Sequence, residues 1–222
     1  MLKAADLKKE TLSLFKSLPW QKRFYVALRF LTCPFEEISK FVPDSGTVLD
    51  LGCGMGIFSF YLAKKYPSLS IKSFDSNRLR ISVCKDIGLK NNISNLQFSV
   101  CDIVNQDLVG PADCILLNDV FYQLSLANKK KIIEKCLEKL NFNGYLIIKE
   151  VSKRPSLKYW FCYFQEVFVA KVLGLNQGLV EILSVSEMLD LLAQYKVLVS
   201  VTKLDRGYFY PHLVYCIKKK DE

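Results

Sequence analysis

Between Asp44 and Val151 short apolar runs alternate with longer amphipathic stretches, and this alternation restricts the chain more than any other feature. Thr47–Leu51, Ser70–Phe74, Gln97–Val100, Cys114–Leu117 and Tyr145–Val151 are predicted strands bounded by turn residues. Phe58–Lys65, Arg78–Leu89 and Ala127–Leu140 are predicted helices; in the last, Ile132, Ile133, Cys136, Leu137 and Leu140 share one face and lysines the other. Apolar strands joined through helices require right-handed crossovers and a parallel sheet. The expected fold is α/β.

The two ends of the chain read differently. Lys3–Phe41 is expected to be helical, with Leu7, Leu12, Leu14 and Phe15, then Phe24, Val26, Leu28 and Leu31, recurring near helical spacing. Pro34 can open a short helix that Pro43 ends, so residues 1–43 are expected to form an N-terminal helical extension and residues 44–222 the main domain. After Val151 the alternation breaks. Ser156–Leu173 is predicted as an apolar, aromatic helix within an insertion at about 153–180, and Ser186–Tyr195 as another helix. Val197–Leu204 and His212–Lys218 are predicted strands whose connection is too short for a crossover, so they should pair antiparallel.

Composition narrows the classes. Apolar residues make up 50% of the 222 and charged residues 24%, which excludes a disordered chain. The absence of a long uncharged apolar run argues against a transmembrane helix, and the charge-broken start does not read as a secretory signal. The eight cysteines form no C-x-x-C pair and His212 is the single histidine, so no metal site is expected and reduced cysteines in a cytoplasmic protein are. The net charge of +9 lies mostly at the ends, with +5 in residues 1–30, +3 in 151–222 and +1 between them. That distribution permits nucleic acid, anionic lipid or acidic small molecules as partners and proves none.

The chemistry is concentrated in Val48-Leu49-Asp50-Leu51-Gly52-Cys53-Gly54-Met55-Gly56, a strand running into a glycine loop and then a helix. In an open α/β sheet, ligands bind beyond the carboxyl ends of the strands, where this loop falls. A dinucleotide site wants G-x-G-x-x-G/A with a pyrophosphate on the helix N-terminus. Here the third glycine comes one residue early, and Asp50 stands two residues before Gly52, where its charge would repel a diphosphate. The same carboxylate favours a cation such as S-adenosylmethionine, which carries an ammonium and a sulfonium. A Walker loop is excluded, because no Gly-Lys-Ser/Thr follows.

At these residues the sequence resembles the class I S-adenosylmethionine-dependent methyltransferase family. VLDLGCGMG matches that family's first motif, and the likeness continues over residues 44–151. It implies a Rossmann-like fold, a mostly parallel sheet with an antiparallel C-terminal strand pair, and S-adenosyl-L-methionine as cofactor. It also implies that Asp75 holds the ribose hydroxyls and that Asp102 lies beside the adenine. The implied cofactor-binding set is Asp50, Gly52, Cys53, Gly54, Gly56, Asp75, Ser76, Asp102, Ile103 and Asn118. Any one of these acids alone would sooner be a turn or helix cap; their succession at strand ends is what favours a ligand.

The implied reaction is an in-line displacement of the sulfonium methyl, driven by orientation and desolvation, with a base needed only if the acceptor must lose a proton. Glu150, Asp119 and Tyr122 are the candidate catalytic residues at the pocket mouth, Glu150 first, with a salt bridge to Lys153 or Arg154 as its alternative. His212, opening the last strand, is expected to face solvent. The segment Asn118–Leu124 departs from the family's D-V-L-H-H-L, and no Asn-Pro-Pro-Tyr follows strand four, which counts against base methylation. The 156–173 helix, with its narrow polar stripe, suggests a lid, an apolar-acceptor pocket or a peripheral membrane contact. A small-molecule or lipid-like acceptor is therefore expected. A non-catalytic S-adenosylmethionine-binding module is the alternative, and RNA methylation, for which residues 20–30 offer basic and aromatic side chains, ranks lower.

Overall fold

The computed structural model describes residues 4–151, 181–204 and 211–220. Three helices, α1 (Ala4–Leu14), α2 (Trp20–Thr32) and α3 (Phe35–Ser39), precede β1 (Ser45–Leu51). There follow α4 (Ile57–Lys65), β2 (Ser68–Asp75), α5 (Arg78–Lys90), β3 (Leu96–Val100), β4 (Ala112–Asn118), a 3-10 turn at Phe121–Gln123, α6 (Leu126–Lys139) and β5 (Leu140–Val151). The described chain closes with α7 (Val185–Leu192), β6 (Val197–Lys203) and β7 (His212–Lys219). The expected 156–173 helix and the 153–180 insertion lie outside the described residues.

The seven strands form one sheet in the order β3-β2-β1-β4-β5-β7-β6. Strands β1 to β5 pair in parallel, whereas β7 lies antiparallel to both β5 and β6. The Rossmann-like reading of the sequence is therefore the observed fold. Order reverses at β1, so the crevice beyond its carboxyl end is the switch point where such sheets bind ligands.

Alternation along the strands divides the core into two layers. Val48, Cys114, Leu116, Ile147 and Val214 pack towards α1–α5, and Leu49, Leu51, Ile115, Leu117, Leu146, Ile148 and Leu213 pack towards α6 and α7. Helix α4 is buried from Ile57 to Ala63, because it lies between the sheet and the N-terminal helices. Phe15 meets Phe60 edge-on with ring centroids 5.6 Å apart, and Phe35 stacks on Phe58 at 5.3 Å. Phe58 and Phe60 both belong to α4, so these aromatic contacts fasten the first three helices to it.

Two local expectations are corrected. The strand expected at Tyr145–Val151 begins earlier: β5 runs from Leu140, with an excursion at Asn143, φ 66°, where the register with β4 jumps from Ala112↔Leu140 to Cys114↔Tyr145. His212 does not face solvent. It is 2% exposed, and its Nε2–H donates to the Thr32 carbonyl at 2.7 Å. It shares the sheet face of Val214, which α2 covers, so the strand pattern turns it inward.

Candidate active site

A cleft of about 630 Å³ opens beyond the carboxyl ends of β1, β2 and β4, well within the range of small-molecule sites. One wall is the glycine loop with Asp75, Ser76, Asp102 and Ile103; the other includes Tyr25, Leu28, Arg29 and Thr32 of α2 together with Phe35, Asn118, Asp119 and Tyr122. Apart from Gly56, which sits behind this wall, every residue expected to bind cofactor lines this one cleft.

The loop is shaped by close packing. Gly52 sits at φ +75°, and a Cβ there would lie 2.4 Å from the Val120 side chain, so an L-residue would meet both strain and a clash. Gly54, at φ +58°, has nothing within 4 Å of where its Cβ would be; that side of the loop is open to the cleft. Its amide donates to Asp75 Oδ2 at 2.9 Å, and the Asn77 amide donates to Asp75 Oδ1, also at 2.9 Å. Asp75 thus ties the loop to the start of α5, where Asn77 accepts from the amides of Leu79 and Arg80. Each carboxylate oxygen keeps a further lone pair for a ligand hydroxyl.

Asp50 is 2% exposed and accepts from the Ser59 hydroxyl at 2.5 Å. Burial pushes its carboxyl up to about 6, against the Ser59 hydrogen bond and with help from Asp75. A buried acid in this state gains from a cationic neighbour. Asp102 is exposed and committed locally: Oδ1 accepts from the amides of Val104 and Asn105, and Oδ2 from Asn105 Nδ2 at 2.9 Å. The Asn105 side-chain hydrogen bond chiefly holds its carboxyl below the usual range.

The other half of the cleft is organised by Asp119. Its Oδ1 accepts from Lys149 Nζ and its Oδ2 from Arg29 Nη2, both at 2.5 Å. Its backbone takes a left-handed φ of 58°, with its N–H donating to the Lys149 carbonyl and its own carbonyl accepting from Gln123 Nε2. Such a conformation persists where surroundings over-determine it. Burial would raise the Asp119 carboxyl, but Lys149 and Arg29 together hold it well below the usual carboxylate range. Burial, with Lys149 adding to it, lowers His212 to about 3, so that ring is neutral.

Of the three candidate catalytic residues, Asp119 and Tyr122 line the cleft and Glu150 does not. Glu150 borders a separate void of about 10 Å³ with Lys129, Glu181 and Tyr215. The reason is strand alternation: Lys149 shares the face of Ile147, so Glu150 takes the α6 face of the sheet. Burial, with Asp119 adding to it, raises its carboxyl well above the ordinary value. The expected alternative partners, Lys153 and Arg154, lie outside the described residues. Arg29 was not among the expected site residues, because nothing local marks it; only the fold brings it to Asp119, 90 positions later in the chain.

A family model described as a methyltransferase domain matches residues 43–184. The chain belongs to the class I S-adenosylmethionine-dependent methyltransferases. It is 26% identical over 129 residues to an (S)-coclaurine N-methyltransferase from Thalictrum flavum, covering 58% of this chain and 34% of that one. It is also 32% identical over 133 residues to a malonyl-[acyl-carrier protein] O-methyltransferase 2 from Ilyobacter polytropus, covering 55% of this chain and 49% of that one. The match thus spans between a third and a half of these curated relatives. Among solved structures, a coclaurine N-methyltransferase bound to N-methylheliamine and S-adenosylhomocysteine superposes with a TM-score of 0.66 at 15% identity, covering 96% of this chain and 86% of that one. That likeness carries the fold.

Proposed function

We propose that this protein transfers a methyl group from S-adenosylmethionine to a small-molecule acceptor in the cleft beneath α2. The observation that carries this reading is the shared cleft: an acid-rich glycine-loop wall on one side and a helical wall with apolar and cationic groups on the other. The donor side suits the cofactor, since Asp50 and Asp75 are buried acids beside an open loop. When bound, the cofactor supplies an electrophilic methyl. Asp75 holds hydroxyls with its spare lone pairs, Asp50 balances positive charge, and Gly54 leaves space for close approach. Ser76 and Ile103 complete this side and Asn118 faces it from the other wall, while Asp102, already satisfied locally, contributes less than the sequence suggests.

On the acceptor side, α2 and Phe35 exclude water and orient the nucleophile. Asp119 acts as an anchor; a carboxylate clamped between two cations is a poor proton acceptor. Tyr122 lines the acceptor side of the cleft, together with the hydroxyl-bearing Tyr25 and Thr32. The reading is tested by calorimetry with S-adenosylmethionine, S-adenosylhomocysteine and NAD, followed by detection of S-adenosylhomocysteine release with candidate acceptors. Heat from NAD and none from the sulfur compounds overturns it. Tight cofactor uptake without turnover across a broad acceptor panel favours the non-catalytic binding module.

A peripheral contact with an anionic bilayer is a second reading, supported by the outer face of α2. Trp20, Phe24 and Leu31 are 71%, 64% and 64% exposed and share one helical stripe, beside exposed Lys16, Lys22 and Arg23. Apolar anchors flanked by basic residues suit an anionic lipid surface. Among the described residues no helix is long and apolar enough to cross a membrane. Co-sedimentation with phosphatidylserine vesicles at low salt should succeed and should weaken on Phe24→Ser; absence of sedimentation removes this reading.

A further inference from the structure

The charged groups along the cleft separate into two halves of opposite sign. On the glycine-loop side Asp50, Asp75 and Asp102 face one lining cation, Arg80. On the α2 side Arg29 and Lys149 share the single carboxylate of Asp119. Lys149 is 1% exposed and spent on that contact, whereas Arg29 is 22% exposed and lines the cleft. Among the described residues the hydrogen-bond partner of Arg29 is Asp119 alone, through Nη2. A guanidinium has five N–H donors, so this one, which lines the cleft, keeps donors for a ligand. Among the described residues nothing nearby supplies the second negative charge: His212 is neutral, and Glu150 lies across the sheet.

Resting on the proposed use of this cleft, we infer that the acceptor enters as an anion, with a carboxylate held by the Arg29 guanidinium and an apolar body against α2. The apolar part of the wall is Tyr25, Leu28 and Phe35, so the substrate class is an aromatic or aliphatic carboxylic acid. Asp119 positions Arg29 for this task and Lys149 positions Asp119. The strained Asp119 backbone is held by the same strand that presents Lys149, which makes the anion site a built part of the sheet at the carboxyl ends of β4 and β5.

The experiment uses the full chain saturated with S-adenosylhomocysteine and compares benzoate with benzamide, matched in shape and differing in charge. Calorimetry or saturation-transfer NMR should show benzoate binding about tenfold or more tightly. Arg29→Met should abolish the preference and Arg29→Lys retain part of it, since an ammonium keeps the charge without the fork. Equal binding of the two probes to the unaltered protein overturns the inference, as does a preference that survives in Arg29→Met. The comparison on the unaltered protein decides the matter even if a variant folds poorly. Failure of the cofactor reading is separate, because it shows as missing heat from S-adenosylhomocysteine before either probe is added.

Discussion

Replacing Asp119 by Asn removes a charge while leaving size and backbone preference nearly unchanged, because Asn also tolerates the left-handed region that Asp119 occupies at φ 58°. What remains is Lys149, 1% exposed, and Arg29, 22% exposed, with no carboxylate between them. Breaking a buried pair by removing one partner costs about 3–5 kcal/mol. Arg29 is partly screened by the cleft, so the lower end, about 3 kcal/mol, applies. At about 2–4 °C per kcal/mol for a domain of this size, the melting temperature should fall by about 6–12 °C. Denaturant unfolding at pH 7 and at low salt measures this directly. Adding Arg29→Met to Asp119→Asn should recover part of the loss, because one stranded cation is gone. The sign with pH is also determined. The Asp119 carboxyl is held below its ordinary value, so its contribution is fully present above the unfolded value near 4 and is lost only as the pH falls below that. A change under about 0.5 kcal/mol in Asp119→Asn, as for an ordinary surface substitution, would refute the ion-pair account.

Three further outcomes are expected. Cofactor affinity should rise as the pH passes upward through about 6, because Asp50 ionises there and a cation prefers the carboxylate; titration calorimetry of Asp50→Asn should show that step flattened. Gly52→Ala should destabilise more than Gly54→Ala, since its Cβ meets Val120 at 2.4 Å while the other meets open space; both bear about 1–2 kcal/mol of left-handed strain, and equal melting temperatures would contradict the packing argument. His212, depressed to about 3, stabilises the fold above the unfolded value near 6.5, and that contribution is lost progressively as the pH falls from there to about 3. His212→Gln should therefore be less acid-sensitive than the unaltered chain between pH 6 and 4, as followed by denaturant midpoints.

Some of this was readable along the chain because the physics is local. A glycine with positive φ, a strand of alternating side chains and a helix with one apolar stripe each leave a signature within a few residues. The five parallel strands, the antiparallel final pair and the acid-and-glycine loop therefore appear where the pattern put them, within a residue or two at most ends. Glu150 shows how far such reasoning can reach and where it stopped. The alternation of Ile147, Ile148, Lys149 and Glu150 already separates the last two onto opposite faces, yet it does not say which face holds the cleft. His212 posed the same difficulty: a histidine beside a proline at a strand's start looks exposed until α2 is seen to cover it.

The succession of strands and helices along the chain and the glycine-loop wall of the cleft follow from short-range preferences summed along the chain. The other wall does not. Arg29, Asp119 and Lys149 come from a helix, a strand end and the neighbouring strand, and their charges acquire meaning only when packing removes water from around them. Electrostatic partnership acts through space and is scaled by burial, so residues far apart in the chain can decide an acceptor's charge while leaving no mark on either sequence neighbourhood.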